Sequence, residues 1–354
     1  MSKHGKRMVD EPKKGNKRGL KIFLRIILVI VIIFIILLGI AFGFATSKIS
    51  KMQQVDINED NLSINKDTEE NLKGYRNIAL FGVDSRDDNL GEGNRSDCII
   101  IASINQSTGD VNLISVYRDT YVNIEGHGLD KITHAYSYGG PELAIKTLNE
   151  NLDLNISEFV TVNFDVVADA VNAIGGVTID IQKDEIKYLN SYLSETSKVT
   201  GLQTSQITSA GKQTLDGVQA VAYSRIRYTA GGDEKRTERM RTVVEAMFDK
   251  VKTMGIGEIN NLANKILPEL YTNINTGEIL SLVPTALKFN VKESIGWPYE
   301  TKGITLDRWY GVPVTLESNV EQLHKEVFGE TNYLVPSNVK ETSEDIIDKT
   351  GYNK

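Results

Sequence analysis

Asn77-Ile78-Ala79-Leu80-Phe81-Gly82-Val83-Asp84-Ser85-Arg86 is the stretch from which the architecture of this chain is read. Asn77 to Val83 is an apolar run of strand length, and it stops at an Asp-Ser-Arg cluster that belongs on a loop. Two more such runs follow, Asp97 to Ser103 and Val111 to Tyr117. Between them lies Gln106-Ser107-Thr108-Gly109-Asp110, which has the residues of a hairpin turn. If the three strands form an antiparallel meander, the end of the first, the start of the second and the end of the third meet at one sheet edge. Asp84, Asp97 and Arg118-Asp119 occupy those positions, so carboxylates and a guanidinium dozens of residues apart are expected to converge.

Toward the carboxyl terminus, Pro141 to Leu152 and Asp165 to Ile174 have helical spacing; the second ends at Gly175-Gly176, with strand-like Val177 to Ile181 directly after. Ser191 to Lys212 is rich in Ser and Thr and reads as an exposed excursion. Leu215 to Tyr223 and Lys235 to Val251 are expected to be helical, Val312 to Leu316 a strand and Val320 to Phe328 a helix. Strands mixed with helices throughout predict one α/β domain, with helices covering a central sheet. Its expected extent is 75–330, followed by a loose polar tail over 331–354.

Toward the amino terminus, Ile26 to Ala45 contains no charge. At about 1.5 Å per residue, such a segment crosses a hydrocarbon core of about 30 Å as one helix. The 25 residues before it carry nine Lys or Arg against Asp10 and Glu11, a net charge of +7, so this end is expected in the cytoplasm. Subtracting +7 from the whole-chain −7 leaves −14 for the rest, an acidic domain on the outer side. A cleaved leader ending at Gly43-Phe44-Ala45 is disfavoured, because a leader's apolar core is usually about 7 to 15 residues. Residues 46–74 are polar and read as a stalk between membrane and domain. The basic amino-terminal run needs no nucleic acid to explain it, since topogenic charge and contact with anionic membrane lipids suffice.

Cys98 is the only cysteine, so no intramolecular disulfide is possible, and its apolar setting marks it as a small core residue rather than a nucleophile. His4, His127, His134 and His324 have no zinc-type spacing, and no G-x-S-x-G elbow occurs, which argues against Ser-His or zinc hydrolase chemistry. What the chain does have is Arg beside Asp in short blocks: Arg95-Ser96-Asp97, Arg118-Asp119, Arg225-Ile226-Arg227, and Asp233 with Arg236 and Arg239. Arg presents a rigid fork of donors that matches phosphate oxygens, and paired carboxylates are the usual means of holding a hard divalent cation against them. Arg236 and Arg239, three apart, share a helix face, and Asp233 is placed to cap that helix. Arg225 and Arg227 point the same way only where the chain is extended. The pattern predicts a polyphosphate site at a membrane.

At these residues the chain resembles the LytR-CpsA-Psr family of membrane-anchored cell-wall enzymes. The resemblance runs from about Arg76 to Met247 and more weakly to Phe328. Besides the stretch from Asn77 to Arg86 and the Arg-Ser-Asp block, it is carried by Ser115-Val116-Tyr117-Arg118-Asp119-Thr120 and by Lys131-Ile132-Thr133-His134-Ala135-Tyr136 with Gly139-Gly140. Ile174-Gly175-Gly176-Val177, Leu215-Asp216-Gly217, Tyr223-Ser224-Arg225-Ile226-Arg227 and Asp233 through Arg239 complete it. The order and spacing of these blocks behind one anchor make the likeness specific. It implies an α-β-α sandwich with a central mixed sheet that holds a polyprenyl pyrophosphate lipid. The implied activity is phosphotransfer: an anionic glycopolymer, of wall teichoic acid or capsular polysaccharide type, moves from undecaprenyl pyrophosphate to peptidoglycan, with Mg2+ or Mn2+.

Carried over by position, Asp84 and Asp97 match the family's metal-associated aspartates. Arg95, Arg118, Lys131, Arg225, Arg227, Arg236 and Arg239 match its pyrophosphate-contacting cations. Asp84, Asp97, Arg118, Arg225 and Arg227 are the residues expected to carry catalysis, with Asp119 and the metal-associated aspartates as candidates for the base. An apolar slot for the lipid tail is expected around Phe164, Val167, Val171, Val244 and Met247. Three departures stand out: Asn94 where Gly is common, Tyr117 where Pro is common, and Met240 where a phosphate-contacting Gln is usual. A lipid pyrophosphatase, with water as acceptor, and a membrane-bound transcriptional attenuator are the alternative readings. The second is weakened by a cytoplasmic part of about 25 residues without a helix-turn-helix. The resulting expectation is a single-pass protein of the cell membrane, its catalytic domain outside the cell.

Overall fold

The computed structural model describes residues 53–85, 89–275 and 289–353. The expected cytoplasmic tail over 1–25, the span over 26–45 and the start of the stalk lie outside the described residues. Among those described, no helix is long and apolar enough to cross a membrane.

The expected stalk is corrected over its second half. β1 (Gln53–Gln54) pairs with a strand of the main sheet, and α1 (Lys66–Asn71) packs on the domain. Leu62 and Leu72 are fully buried, and the Thr68 hydroxyl donates to Asp153 at 2.7 Å. Leu62 and Leu72, with Val55, Ile57 and Ile64 packed beside them, dock a segment whose apolar residues are too scattered to form a stripe.

β2 (Tyr75–Val83), β3 (Ser96–Asn105) and β4 (Asp110–Val116) pair antiparallel in sequence order, as the meander required. Asn105 Oδ1 accepts from the Ser107 and Thr108 amides, and Gly109, at φ +75°, closes the turn. A small hairpin, β5 (Tyr121–Ile124) and β6 (Gly128–Lys131), leads into α2 (Ile132–Leu152). That helix is broken at Gly139-Gly140, where Gly140 has φ +62°, and it restarts at Pro141, whose missing N–H costs nothing in a first turn.

β7 (Glu158–Val162) returns parallel to β2 and is followed by α3 (Phe164–Ala173), capped by Asn163. β8 (Val177–Ile181), α4 (Glu185–Thr200) and β9 (Gly211–Leu215) come next. Most of the expected excursion over Ser191 to Lys212 is therefore ordered secondary structure: Leu189, Leu193 and Thr196 are buried along one face of α4. An Asp216–Gln219 capping box starts α5 (Gly217–Ser224). A Cβ on Gly217 would lie 2.1 Å from the Ala168 carbonyl oxygen, so only glycine lets α5 cross α3 there.

α6 (Gly232–Lys252) and α7 (Ile256–Ile266) precede β10 (Tyr271–Thr272) and β11 (Asn290–Trp297). The hairpin β12 (Thr301–Thr305) and β13 (Trp309–Pro313) is followed by α8 (Leu316–Phe328) and α9 (Ser337–Thr350). α9 overturns the loose carboxyl-terminal tail. Val339, Ser343 and Ile346 are buried, Asn338 donates to the Glu150 carbonyl at 2.9 Å, and the Tyr333 hydroxyl donates to Asp153 at 2.7 Å. A serine in the middle of the buried stripe concealed its helical period.

The main sheet runs β1-β10-β7-β2-β3-β4-β11 and is mixed, with β7 parallel to β2 and β11 parallel to β4. One face buries Phe81, Ile99 and Ile101 with Tyr136 of α2, Leu323 of α8 and Val339 of α9. The other buries Ile78, Ile100 and Leu113 against Val244 of α6. A further cluster joins α3 to α6 and the β8–β9 hairpin through Val171, Leu189, Leu215, Val218 and Val243. These layers form the expected α/β arrangement, helices on both faces of a central mixed sheet.

Candidate active site

The site is made at the end of the sheet where β2 stops, β3 starts and β4 stops. The β2–β3 register is irregular there: Gly82 faces Cys98 while Val83 faces Ser96, so Asp97 is an extra residue in β3. A bulge of this kind leaves one residue out of the ladder and re-aims its side chain. Here it places the Asp97 carboxylate in a cavity of about 310 Å³ that is also lined by Asp84, Arg95, Arg118, Arg225, Arg227 and Arg236, with Phe164, Tyr192 and Met240. Five arginines and two aspartates line it, and Asp233 and Glu195 pair with four of the five guanidiniums from outside the lining.

Asp97 is the hub. Its Oδ1 accepts from Arg118 Nη1 at 2.7 Å, and its Oδ2 lies 3.6 Å from Arg227 Nη2 and 3.8 Å from Arg236 Nη1. Burial pushes the Asp97 carboxyl up, but the guanidiniums of Arg118, Arg236 and Arg227 outweigh it and hold it below the ordinary range. Asp233 is a second anchor, 3.2 Å from Arg236, 3.5 Å from Arg118 and 3.6 Å from Arg227. It does not cap α6 as expected; Gly231 holds that position in the left-handed region, at φ +91°, and Asp233 braces the arginines instead. Arg225, at the carboxyl end of α5, is held between the rings of Phe164 at 5.1 Å and Tyr192 at 5.2 Å. Its Nη1 donates to Thr196 Oγ1 at 3.1 Å. Arg118 Nε and Arg236 Nε are buried without a hydrogen-bond partner among the described residues. An oxyanion is the kind of acceptor that would satisfy them.

Two expected phosphate contacts are placed elsewhere. Arg239 is 2% exposed and bonds Glu185 at 2.7 Å, the Ile226 carbonyl at 3.0 Å and Thr229 Oγ1 at 2.6 Å, away from the cavity lining. Lys131 binds Asp119 Oδ1 at 2.7 Å and lies behind Arg118 rather than on the wall. Asp119 is engaged by this contact and is not part of the lining either.

A second, apolar cavity of about 290 Å³ shares Asp97, Phe164 and Met240 with the first. Val167, Val244 and Met247 line it, together with Leu80, Ile100 and Val160. Val171 does not; it is fully buried in the α3–α6 cluster. Cys98 lies in this slot, and burial pushes its thiol up to about 12. The thiolate is therefore scarce near neutral pH, so Cys98 is expected to resist iodoacetamide in the folded protein and react fully in urea, as mass spectrometry would read.

The three departures have structural accounts. Asn94 Nδ2 donates to the Asn89 and Gly91 carbonyls, at 2.8 and 3.0 Å, and so fixes the loop that delivers Arg95. The Tyr117 amide donates to the Trp297 carbonyl at 2.9 Å, a bond proline lacks. Met240 stands at the seam between the polar and the apolar cavity.

A family model described as the LytR_cpsA_psr family matches residues 40–322. The chain belongs to this family. Among curated LytR_cpsA_psr relatives, the polyisoprenyl-teichoic acid–peptidoglycan teichoic acid transferase TagT of Bacillus subtilis (strain 168) is 33% identical over 233 residues. That match covers 64% of this chain and 70% of the relative. The like-named TagU of Enterococcus faecalis (strain ATCC 700802 / V583) is 33% identical over 235 residues, 66% of this chain and 67% of the other. A solved structure described as TagT bound to LIIa-WTA superimposes with a TM-score of 0.55 and 26% identity, covering 79% of this chain and 92% of that one.

Among the described residues no group of three or more His, Cys, Asp or Glu side chains could hold a metal ion. Magnesium-type ions nonetheless commonly take one or two carboxylates and complete their shell with phosphate oxygens and water. Asp84 and Asp97 on one wall fit that donor set, and Asp97 Oδ2 has no contact closer than the 3.6 Å to Arg227 among its ion pairs.

Proposed function

We propose that this protein is a transferase that moves an anionic glycopolymer from a polyprenyl diphosphate carrier, undecaprenyl in the natural case, to peptidoglycan. The observation that carries the reading is the adjacency of the two cavities: an arginine-walled chamber sized for a diphosphate shares Asp97, Phe164 and Met240 with an apolar slot suited to a lipid tail. The names of the TagT and TagU relatives support the same donor and acceptor classes. The polymer is of the teichoic acid or capsular polysaccharide type, and the domain works outside the cell on the membrane anchor read from residues 26–45.

In the proposed reaction an acceptor sugar hydroxyl attacks the polymer-linked phosphorus, the bond to the bridging oxygen breaks, and polyprenyl phosphate leaves with that electron pair. The hydroxyl proton passes to a base. Negative charge grows on the bridging and equatorial oxygens, where Arg118, Arg225, Arg227 and Arg236 are placed to stabilise it. Asp97 and Asp233 hold three of those guanidiniums, Arg118, Arg227 and Arg236, at fixed spacing, so little reorganisation is needed as the charge moves. Asp84 and Asp97 would hold Mg2+ or Mn2+, which when bound supplies charge neutralisation at the transferring phosphoryl group.

Mass spectrometry of lipid extracted with the native protein should find a polyprenyl diphosphate glycan. Label should then appear in peptidoglycan oligomers rather than in free polymer, which separates transfer from hydrolysis. Asp84→Ala, on an exposed residue of the wall, should lose that labelling and keep its fold. Undiminished labelling in both Asp84→Ala and Asp97→Ala would defeat the assignment of a cation to this pair.

A further inference from the structure

The hairpin of β12 and β13 carries an exposed indole that no part of the proposed reaction has used. Gly303 and Gly311 face each other across the two strands. Trp309 lies over both: a Cβ built on Gly303 would stand 2.8 Å from the indole Nε1, and one built on Gly311 would stand 3.6 Å from Cη2. Two paired glycines thus make a bare patch of sheet on which the ring rests. Even so, 49% of Trp309 stays in water. Its neighbour Tyr310 takes the opposite, inward face and is buried.

This indole is fixed relative to the arginine cavity by backbone bonds. The Gly311 amide donates to the Asp119 carbonyl at 2.9 Å, and Thr120 bridges to Gly311. The same built Cβ on Gly311 stands 3.8 Å from the Asp119 carbonyl oxygen, so the edge of the indole and the Asp119 backbone flank one point. Asp119 follows Arg118 directly, and Arg118 lines the cavity. The turn before Trp309 carries Asp307 and Arg308, paired at 2.9 Å, with the Asp307 carboxylate accepting from the Tyr310 hydroxyl at 2.7 Å.

We propose that Trp309 is the platform on which a sugar ring of the acceptor glycan stacks, delivering its hydroxyl toward the phosphoryl centre beside Arg118; this rests on the transferase reading above. The electron-rich face of an indole attracts the weakly positive axial C–H groups of a pyranose. A ring kept half in water on a glycine bed is arranged for such a face-on partner, whereas a packing role would have buried it. The backbone bond from Gly311 to Asp119, the residue after Arg118 of the cavity wall, favours the acceptor strand as the occupant.

The test uses the full-length protein in detergent. The chain has two tryptophans and Trp297 is fully buried, so a ligand at the surface reports through Trp309. Titration with soluble peptidoglycan glycan oligomers, in the absence of any donor lipid, should give a saturable change in tryptophan emission that disappears in Trp309→Phe. In transfer assays Trp309→Ala should raise the oligomer concentration at half-maximal rate about tenfold, with the half-saturating donor concentration unchanged. Gly303→Ala, which keeps the indole but forces it off its seat, should shift acceptor use in the same direction. Emission that ignores the oligomers, or acceptor dependence unaltered in both variants, would overturn the platform. Because the titration needs no donor, it stands or falls separately from the lipid-binding and labelling experiments that judge the transferase reading.

Discussion

Asp97→Ala should lower glycopolymer transfer by about 10²- to 10³-fold, the range seen when a preorganised charge-stabilising element is removed from an active site. One carboxylate contacts Arg118, Arg227 and Arg236, so its loss leaves three guanidiniums braced by Asp233 alone rather than deleting one contact. It should also cost about 2 kcal/mol of folding stability, less than a fully buried pair would, because Asp97 retains some exposure. The sign with pH follows from the lowered Asp97 carboxyl. The stabilisation is fully present above the unfolded carboxylate value of about 3.9 and is lost as pH falls through the lower folded value. Urea melts of wild type and Asp97→Asn should therefore differ at pH 5 to 7 and converge well below about pH 4. A gap that persists into strong acid would show that Asp97 stabilises by packing alone.

Arg239→Ala should destabilise the domain by about 3–5 kcal/mol, the cost of leaving a buried charge without its partner. Arg239 and Glu185 are 2% and 5% exposed, and among the described residues no other ion pair neutralises Glu185. Arg239→Met combined with Glu185→Gln should recover most of the loss, because no buried charge then remains. Under conditions where the single variant is folded, its affinity for a polyprenyl diphosphate should change by less than about twofold, whereas Arg225→Ala should lose diphosphate binding while melting near wild type. Normal stability with failed binding in Arg239→Ala would return that arginine to the phosphate site.

These two arginines show where the sequence was legible. The meander and the convergence of Asp84, Asp97 and Arg118 followed from run lengths and turn residues, because strand alternation and antiparallel pairing leave few ways to arrange three short runs. The layered α/β arrangement followed from the same pattern. Arg239 was read with Arg236 because both lie on one face of α6, yet a helix face three residues wide can serve two destinations. Arg236 reaches Asp97 and Asp233, while Arg239 reaches back to Glu185 on α4. Glu185 offered the missing signal only in three dimensions, since α4 was itself hidden in a Ser- and Thr-rich stretch. Val171 failed for a related reason: one turn on from Val167 along the same face of α3, it is closed over by the cluster that includes Val218 of α5 and does not reach the slot. The docked segments at both ends were invisible because each rests on two or three buried side chains, Leu62 and Leu72 in one case and Val339, Ser343 and Ile346 in the other.

The extra residue in β3 carries a lesson about length. Along most of a strand, evolution or an engineer can exchange side chains and leave the backbone count alone, and the sheet forgives a good deal. At Ser96-Asp97-Cys98 the count itself is the information: one residue fewer would let the ladder close evenly, and the carboxylate would take the place of a rung. Variation in this chain should therefore accumulate as substitutions around that point and never as a gain or loss of a single position, a constraint that acts on the ruler rather than on the letters.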